Sequence, residues 1–241
     1  MAGTELYSLG GITMPSPHVT NYVDAALAQL RRLGLMRWPG NLPEPMRDTS
    51  ILPENDWIGW RPIPSTTTDA DLDALERETG LAFPPLYRDF LQYRHFVELT
   101  EVGVRFERHL CHNWRETLLA AYFRSWPRER ILDIGLLPFG SEALMDAGPV
   151  CFDTRRRLAD GDCPIVFWDH EWVGADKEVQ PMFSSSLKMF ECLSLVAATD
   201  FSFIYHDDGD DASLLPQKRE LLARFLSIDP DGAGGPAREL D

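Results

Sequence analysis

The sequence predicts an α+β fold: a mostly antiparallel sheet packed with helices, preceded by an N-terminal helical extension. Three observations carry this reading. Apolar residues recur at helical spacing through much of the first half of the chain and again after Ser186. From Ile131 to Trp168 that period gives way to short apolar runs separated by Gly, Asp and Pro turns. The links between the later runs are too short for helical crossovers, which makes the strands antiparallel.

The elements follow in order. Residues 20–33 place Val23, Ala26, Leu27, Leu30 and Leu33 on one helical face, and Gly34 stops the helix. Residues 38–64 carry Pro39, Pro43, Pro45, Pro53, Pro62 and Pro64, and read as extended coil lying on a surface through Trp38, Trp57 and Trp60. Ser65 to Thr68 offer caps for a second helix, with Asp69, Asp71 and Asp73 at its positive end, Leu72 and Leu75 facing inward, and Gly80 as its C′ residue. Pro84 and Pro85 open a third helix with Leu86, Tyr87, Phe90 and Leu91 on one stripe, read as core. A fourth is expected over 113–126. Strands are expected over 131–139, 149–152 and 164–168. Ser184, Ser185 and Ser186 cap a helix bearing Leu187, Phe190, Leu193 and Val196, and a last helix spans about 216–226, with Leu222, Phe225 and Leu226 on one side. The chain then divides into an extension packed on the core (1–60), an α+β domain (61–228) and a flexible tail (229–241).

Composition narrows the function. The 241 residues are 44% hydrophobic and 11% aromatic, enough for a real core. No apolar run approaches the ~18–20 residues of a membrane helix, and the first residues do not read as a signal peptide. A soluble, cytoplasmic protein is expected. Cys111, Cys151, Cys163 and Cys192 are scattered without a Cys-x-x-Cys pair, which favours reduced thiols, with Cys151 and Cys163 in strands. The net charge is −15, and residues 133–211 alone carry −11 of it. Such a chain repels phosphate backbones, so no nucleic-acid partner is expected; a basic protein fits better.

Several constellations carry side chains capable of chemistry. Asp153, Asp169, His170 and Glu171 near strand ends suggest metal or proton-transfer work, but adjacent strand residues point to opposite faces and do not converge. His109, Cys111 and His112 lack a matching ligand pair for zinc, and read as surface histidine and buried thiol. No phosphate-binding glycine loop or nucleophile elbow occurs. No catalytic residue, metal or cofactor is expected.

Several motifs together identify a resemblance. Thr68-Asp69-Ala70-Asp71-Leu72-Asp73-Ala74-Leu75-Glu76 is followed by Gly80-Leu81-Ala82-Phe83-Pro84-Pro85-Leu86-Tyr87-Arg88-Asp89-Phe90-Leu91. Further on come Leu136-Leu137-Pro138-Phe139-Gly140, then Cys151-Phe152-Asp153, then Pro164-Ile165-Val166-Phe167-Trp168-Asp169-His170-Glu171, and finally Phe183-Ser184-Ser185-Ser186 before Phe190 and Leu193. In this order they resemble the SUKH superfamily, which includes Smi/Knr-type regulators of fungal cell-wall synthesis and bacterial toxin-immunity proteins. The resemblance spans roughly residues 60–200, with Phe83 where the family usually has Leu. It implies a SUKH-like α+β fold and a non-enzymatic protein-binding module. The leading expectation is an immunity protein that neutralises a cognate toxin domain through an acidic surface. A regulatory adaptor binding through its ends is the second, and an acidic metal-dependent hydrolase the third. The expected partner contacts are Asp153, Asp160, Asp162, Asp169, Glu171, Asp176 and Glu178, with Trp172 as an aromatic anchor. Asp207, Asp208, Asp210 and Asp211 read as a solvated acidic loop.

Overall fold

The computed structural model describes residues 14–101, 103–142, 148–174, 178–199 and 215–233. Helix α1 (Pro17–Arg32) begins at Ser16, whose hydroxyl accepts the His18 N–H, with Pro17 in its first turn. The serine and proline move the start three residues ahead of the apolar period. The 38–64 stretch is more regular than coil: β1 (Arg37–Pro39) pairs antiparallel with β2 (Trp57–Gly59), and β3 (Ile63–Pro64) follows. Trp60 is fully buried, Trp38 is half-buried against the core, and Trp57 stays 44% exposed.

Helix α2 (Asp69–Thr79) opens with a capping box between Thr68 and Asp71 and closes on Gly80 at φ 74°. Pro84 then caps α3 (Pro85–Tyr93), which buries Tyr87, Phe90 and Leu91 as expected. Arg88 fastens this corner by reaching Asp69, Asp73 and Glu76 together, while Glu76 also accepts the Phe83 N–H at 2.7 Å. The next strand, β4 (Arg94–His95), pairs antiparallel with β3.

The central sheet has six strands: β5 (Thr100–Glu101), β6 (Val104–Phe106), β7 (Leu136–Ser141), β8 (Pro149–Asp153), β9 (Ile165–Trp168) and β10 (Val179–Phe183). Their spatial order equals their chain order, and every neighbouring pair is antiparallel. Helix α4 (Trp114–Phe123) lies between β6 and β7 in the chain, and α5 (Ser186–Ala198) and α6 (Leu215–Ile228) follow β10. Residues 131–134 turn rather than extend: a 3-10 turn over Leu132–Ile134 ends at Gly135, φ 90°, and the strand starts after it.

Alternation along the strands sorts the two faces. Leu137, Phe139, Val150, Phe152, Ile165 and Phe167 join the main core under α1, α3 and α5. Leu136, Cys151, Val166 and Trp168 form a second layer with Ile131, against which Trp126 packs. Burial on both faces explains why these strands read as unbroken apolar runs. Aromatic rings fill the main layer, with Phe139 and Phe152 at 4.3 Å, Phe90 and Phe106 at 4.7 Å, and Tyr87 and Phe152 at 4.9 Å between centroids.

Helix α6 buries Leu221 and Phe225, while Leu226, expected on the same side, is 40% exposed. The stretch expected as a flexible tail starts too early at Asp229. That residue is 1% exposed, and its carboxylate accepts the Ser184 N–H at 2.8 Å and the Ser184 hydroxyl at 2.5 Å. Among the described residues no helix is long and apolar enough to cross a membrane.

Candidate partner-binding surface

The acidic residues singled out by the sequence fall at opposite ends of β9. Asp153, Asp160 and Asp162 stand where β8 ends and β9 begins. Asp169, Glu171, Trp172 and Glu178 stand where β9 turns into β10. Asp176 and the 207–211 acidic residues lie outside the described residues.

The first group is largely spent inside the molecule. Asp162 is 4% exposed; its carboxylate accepts the Cys163 N–H at 2.7 Å, the Ser186 hydroxyl at 2.5 Å and the Leu187 N–H at 3.1 Å. It therefore sits on the positive end of α5, where a carboxylate is stabilised by the helix dipole and by amides without intrahelical partners. Asp153, 2% exposed, holds Arg155 through two contacts, Nε to Oδ1 at 2.7 Å and Nη2 to Oδ2 at 3.0 Å. Asp160 is exposed, and its Oδ1 accepts the Asp162 N–H at 3.0 Å.

The second group builds a braced turn. Asp169, 7% exposed, caps the 3-10 turn His170–Trp172 by accepting the Glu171 N–H at 2.9 Å, and its other oxygen takes the Gln180 amide at 3.3 Å. Glu178 accepts from Gly174 N–H at 2.8 Å, Trp168 Nε1 at 3.0 Å and Arg130 Nη1 at 3.1 Å. The Gly174 amide first, then Trp168 and Arg130, hold its carboxyl below the usual range against the opposing effect of burial. Trp126 wedges beneath, 6.0 Å from Trp168 and 6.2 Å from His170 between ring centroids.

Asp153, Asp162 and Asp169, expected as electrostatic contacts, are thus corrected to internal supports. For Asp153 and Asp169 the physical reason is local: a short-armed carboxylate in a tight turn finds the backbone N–H two residues on before it finds solvent. For Asp162 it is the approach of the first turn of α5. The Ser-rich stretch before α5 was a visible sign that a cap was needed there, but only folding brings Asp162 to it. What stays accessible at the β9–β10 end is His170, Glu171, Trp172 and Val173, with Trp172 47% and Val173 43% exposed. Sequence reasoning missed Val173, whose exposure gives the tryptophan an apolar neighbour.

The other constellation also changes. His109 is buried, not on the surface, while Cys111 is half-buried and His112 exposed. His109 stacks on His95 with centroids 4.6 Å apart and Nδ1 atoms 3.1 Å apart. Burial, and secondarily the neighbouring imidazole, push His109 down to about 3. Among the described residues no group of three His, Cys, Asp or Glu side chains is placed to hold a metal ion.

Comparison with known proteins adds a family match to this geometry. The model of the SMI1 / KNR4 family (SUKH-1) fits residues 66–191, just over half of the chain. The matched span runs from the residues that cap α2 through the whole six-stranded sheet into α5, and leaves out α1, β1, β2, β3 and α6. Among curated proteins none matches the chain.

Proposed function

Because the chain belongs to the SMI1 / KNR4 family (SUKH-1), we propose that it acts by binding a protein partner, as an immunity protein that holds a cognate toxin domain through the β9–β10 turn. Membership supports a non-enzymatic immunity or regulatory module; the toxin and the surface are our reading.

The observation that carries it is the exposure of Trp172 and Val173 on a turn whose backbone is already fixed by Asp169 and Glu178. A rigid exposed tryptophan is the type of group that dominates interface energies, because little conformational freedom is lost when it is covered. Glu171 beside it supplies a charge that a basic partner would meet. The net charge of −15 adds long-range attraction, so association slows as salt rises.

The test uses any toxin-like domain found encoded beside this chain's gene. Trp172→Ala is expected to weaken binding by at least ~10-fold, about 1.4 kcal/mol. Glu171→Lys is expected to slow association most at low salt. Calorimetry and stopped-flow kinetics read the two effects. Unchanged affinity in Trp172→Ala would remove the turn from the interface, and absence of any binding by the parent chain would remove the immunity reading.

A further inference from the structure

A cleft of about 330 Å³ opens between the N-terminal extension and β6, walled by Trp38 on one side and by Glu98, Arg105, Glu107 and Arg108 on the other. Its volume falls within the range of small ligand sites. Three features describe what would fit. Glu107 is half-buried, and its main-chain N–H binds the Phe139 carbonyl at 3.2 Å. Its carboxylate makes no hydrogen bond or ion pair with any described residue, although burial raises its pKa and Arg108 and Arg105 only partly oppose this. A carboxylate partly screened from water and met by no donor of its own chain gains from a donor brought from outside.

The second feature is the aromatic wall. The guanidinium of the exposed Arg108 lies 5.0 Å from the centroid of the half-buried Trp38, a cation–π contact weak enough at the surface to be exchanged. The third is the order of charges with depth. Arg105 and Arg108 are exposed at the rim, while Glu107 lies farther in. An anion entering the cleft would end against Glu107. A cation would end against its counter-charge, and the carbonyl oxygens of the backbone carrying it would lie near the rim arginines.

We propose that this cleft receives a lysine or arginine side chain of a protein partner, which pairs with Glu107 and takes over the Trp38 face that Arg108 covers. The inference rests on the protein-binding reading above and extends it to a second contact point. Three strand spacings, ~14 Å, separate β6 from β9, a distance that one standard interface spans.

The experiment titrates the full chain with N-acetyl-arginine amide and N-acetyl-lysine amide, with N-acetyl-glutamine amide as the uncharged control, and follows the Trp38 indole N–H by NMR. Trp38→Phe identifies that signal. Saturable shifts with the cationic probes only, and at least ten-fold weaker binding in Glu107→Gln, are expected. Glu107→Gln should melt no lower than the parent, since no internal bond is lost and a charge held from water is removed, and Glu98→Gln should weaken the probes less. Equal affinity in Glu107→Gln, equal response to the glutamine control, or no saturable shift would overturn the proposal. Trp172→Ala separates the two readings, because it should leave probe binding unchanged while reducing toxin binding. Loss of probe affinity in that variant would contradict a separate cleft.

Discussion

Asp162 and Gln29 are polar side chains buried to similar depth, 4% and 3% exposed, with opposite consequences for stability. Asp162 receives donors from both sides of the chain crossing and completes the first turn of α5. Its removal leaves those donors unpaired, so Asp162→Ala is expected to cost about 3 kcal/mol, read as a lowered urea midpoint. Gln29, on α1, has neither its amide nitrogen nor its oxygen hydrogen-bonded. Gln29→Met keeps an unbranched side chain of good helix propensity and takes the desolvated amide away. The variant is expected to gain about 1 kcal/mol, and a lower urea midpoint would contradict this.

At the scale of elements, the His95–His109 pair joins three segments. The Thr66 N–H donates to His95 Nε2 at 2.9 Å, which leaves the proton of neutral His95 on Nδ1, 3.1 Å from the His109 carbonyl. His109 Nδ1 lies 3.1 Å from the Arg94 carbonyl, and its Nε2 lies 3.4 Å from the Thr67 hydroxyl. The residues leading into α2 are thereby held to β4 by imidazoles that must stay neutral. Both are pushed down mainly by burial, His109 to about 3. In the unfolded chain they titrate near ~6.5. Between those values the unfolded state binds more protons than the folded His109 does, so stability falls as pH drops from ~6.5 toward 3, by up to ~1.4 kcal/mol per pH unit for that histidine, and His95 adds to the slope in the same direction below ~6.5. Urea midpoints at neutral and mildly acid pH check the slope. His109→Asn should flatten it even if the whole curve drops. Glu178 acts in a different window: its lowered carboxyl supports the β9–β10 turn fully above the ordinary carboxylate range, and that support is lost as pH falls through its folded value.

Across the whole molecule, the extension and the family domain share one core. Val19, Tyr22, Val23, Ala26, Leu27 and Leu30 of α1, together with Met36, Leu42, Met46 and Trp60, belong to the same buried cluster as Phe90, Phe152 and Phe190. Burying one large apolar side chain is worth roughly 1.5–3 kcal/mol, and a whole domain retains only ~5–15 kcal/mol. A chain truncated before residue 61 is therefore expected to lose its cooperative urea transition. Circular dichroism during a urea titration checks this, and a truncated chain with the parent midpoint would show that the family domain folds without the extension.

The cap of α2, the glycine corner after it, the core stripe of α3 and the antiparallel runs of β7, β8 and β9 were legible because capping, backbone conformation and apolar period act within a few residues. The family motifs were legible for the same reason. β5, β6 and β10 were not, since two- and three-residue strands have no measurable period and β10 carries Gln180 and Pro181. Nor could the sequence tell which carboxylates face solvent. Asp162 and Glu171 are equally acidic on paper; only the approach of the α5 amides to one and not the other decides that the first is a brace and the second stays at the surface. Local chemistry fixes what a segment can form. Which charges remain available outside depends on donors that the tertiary fold brings from distant segments.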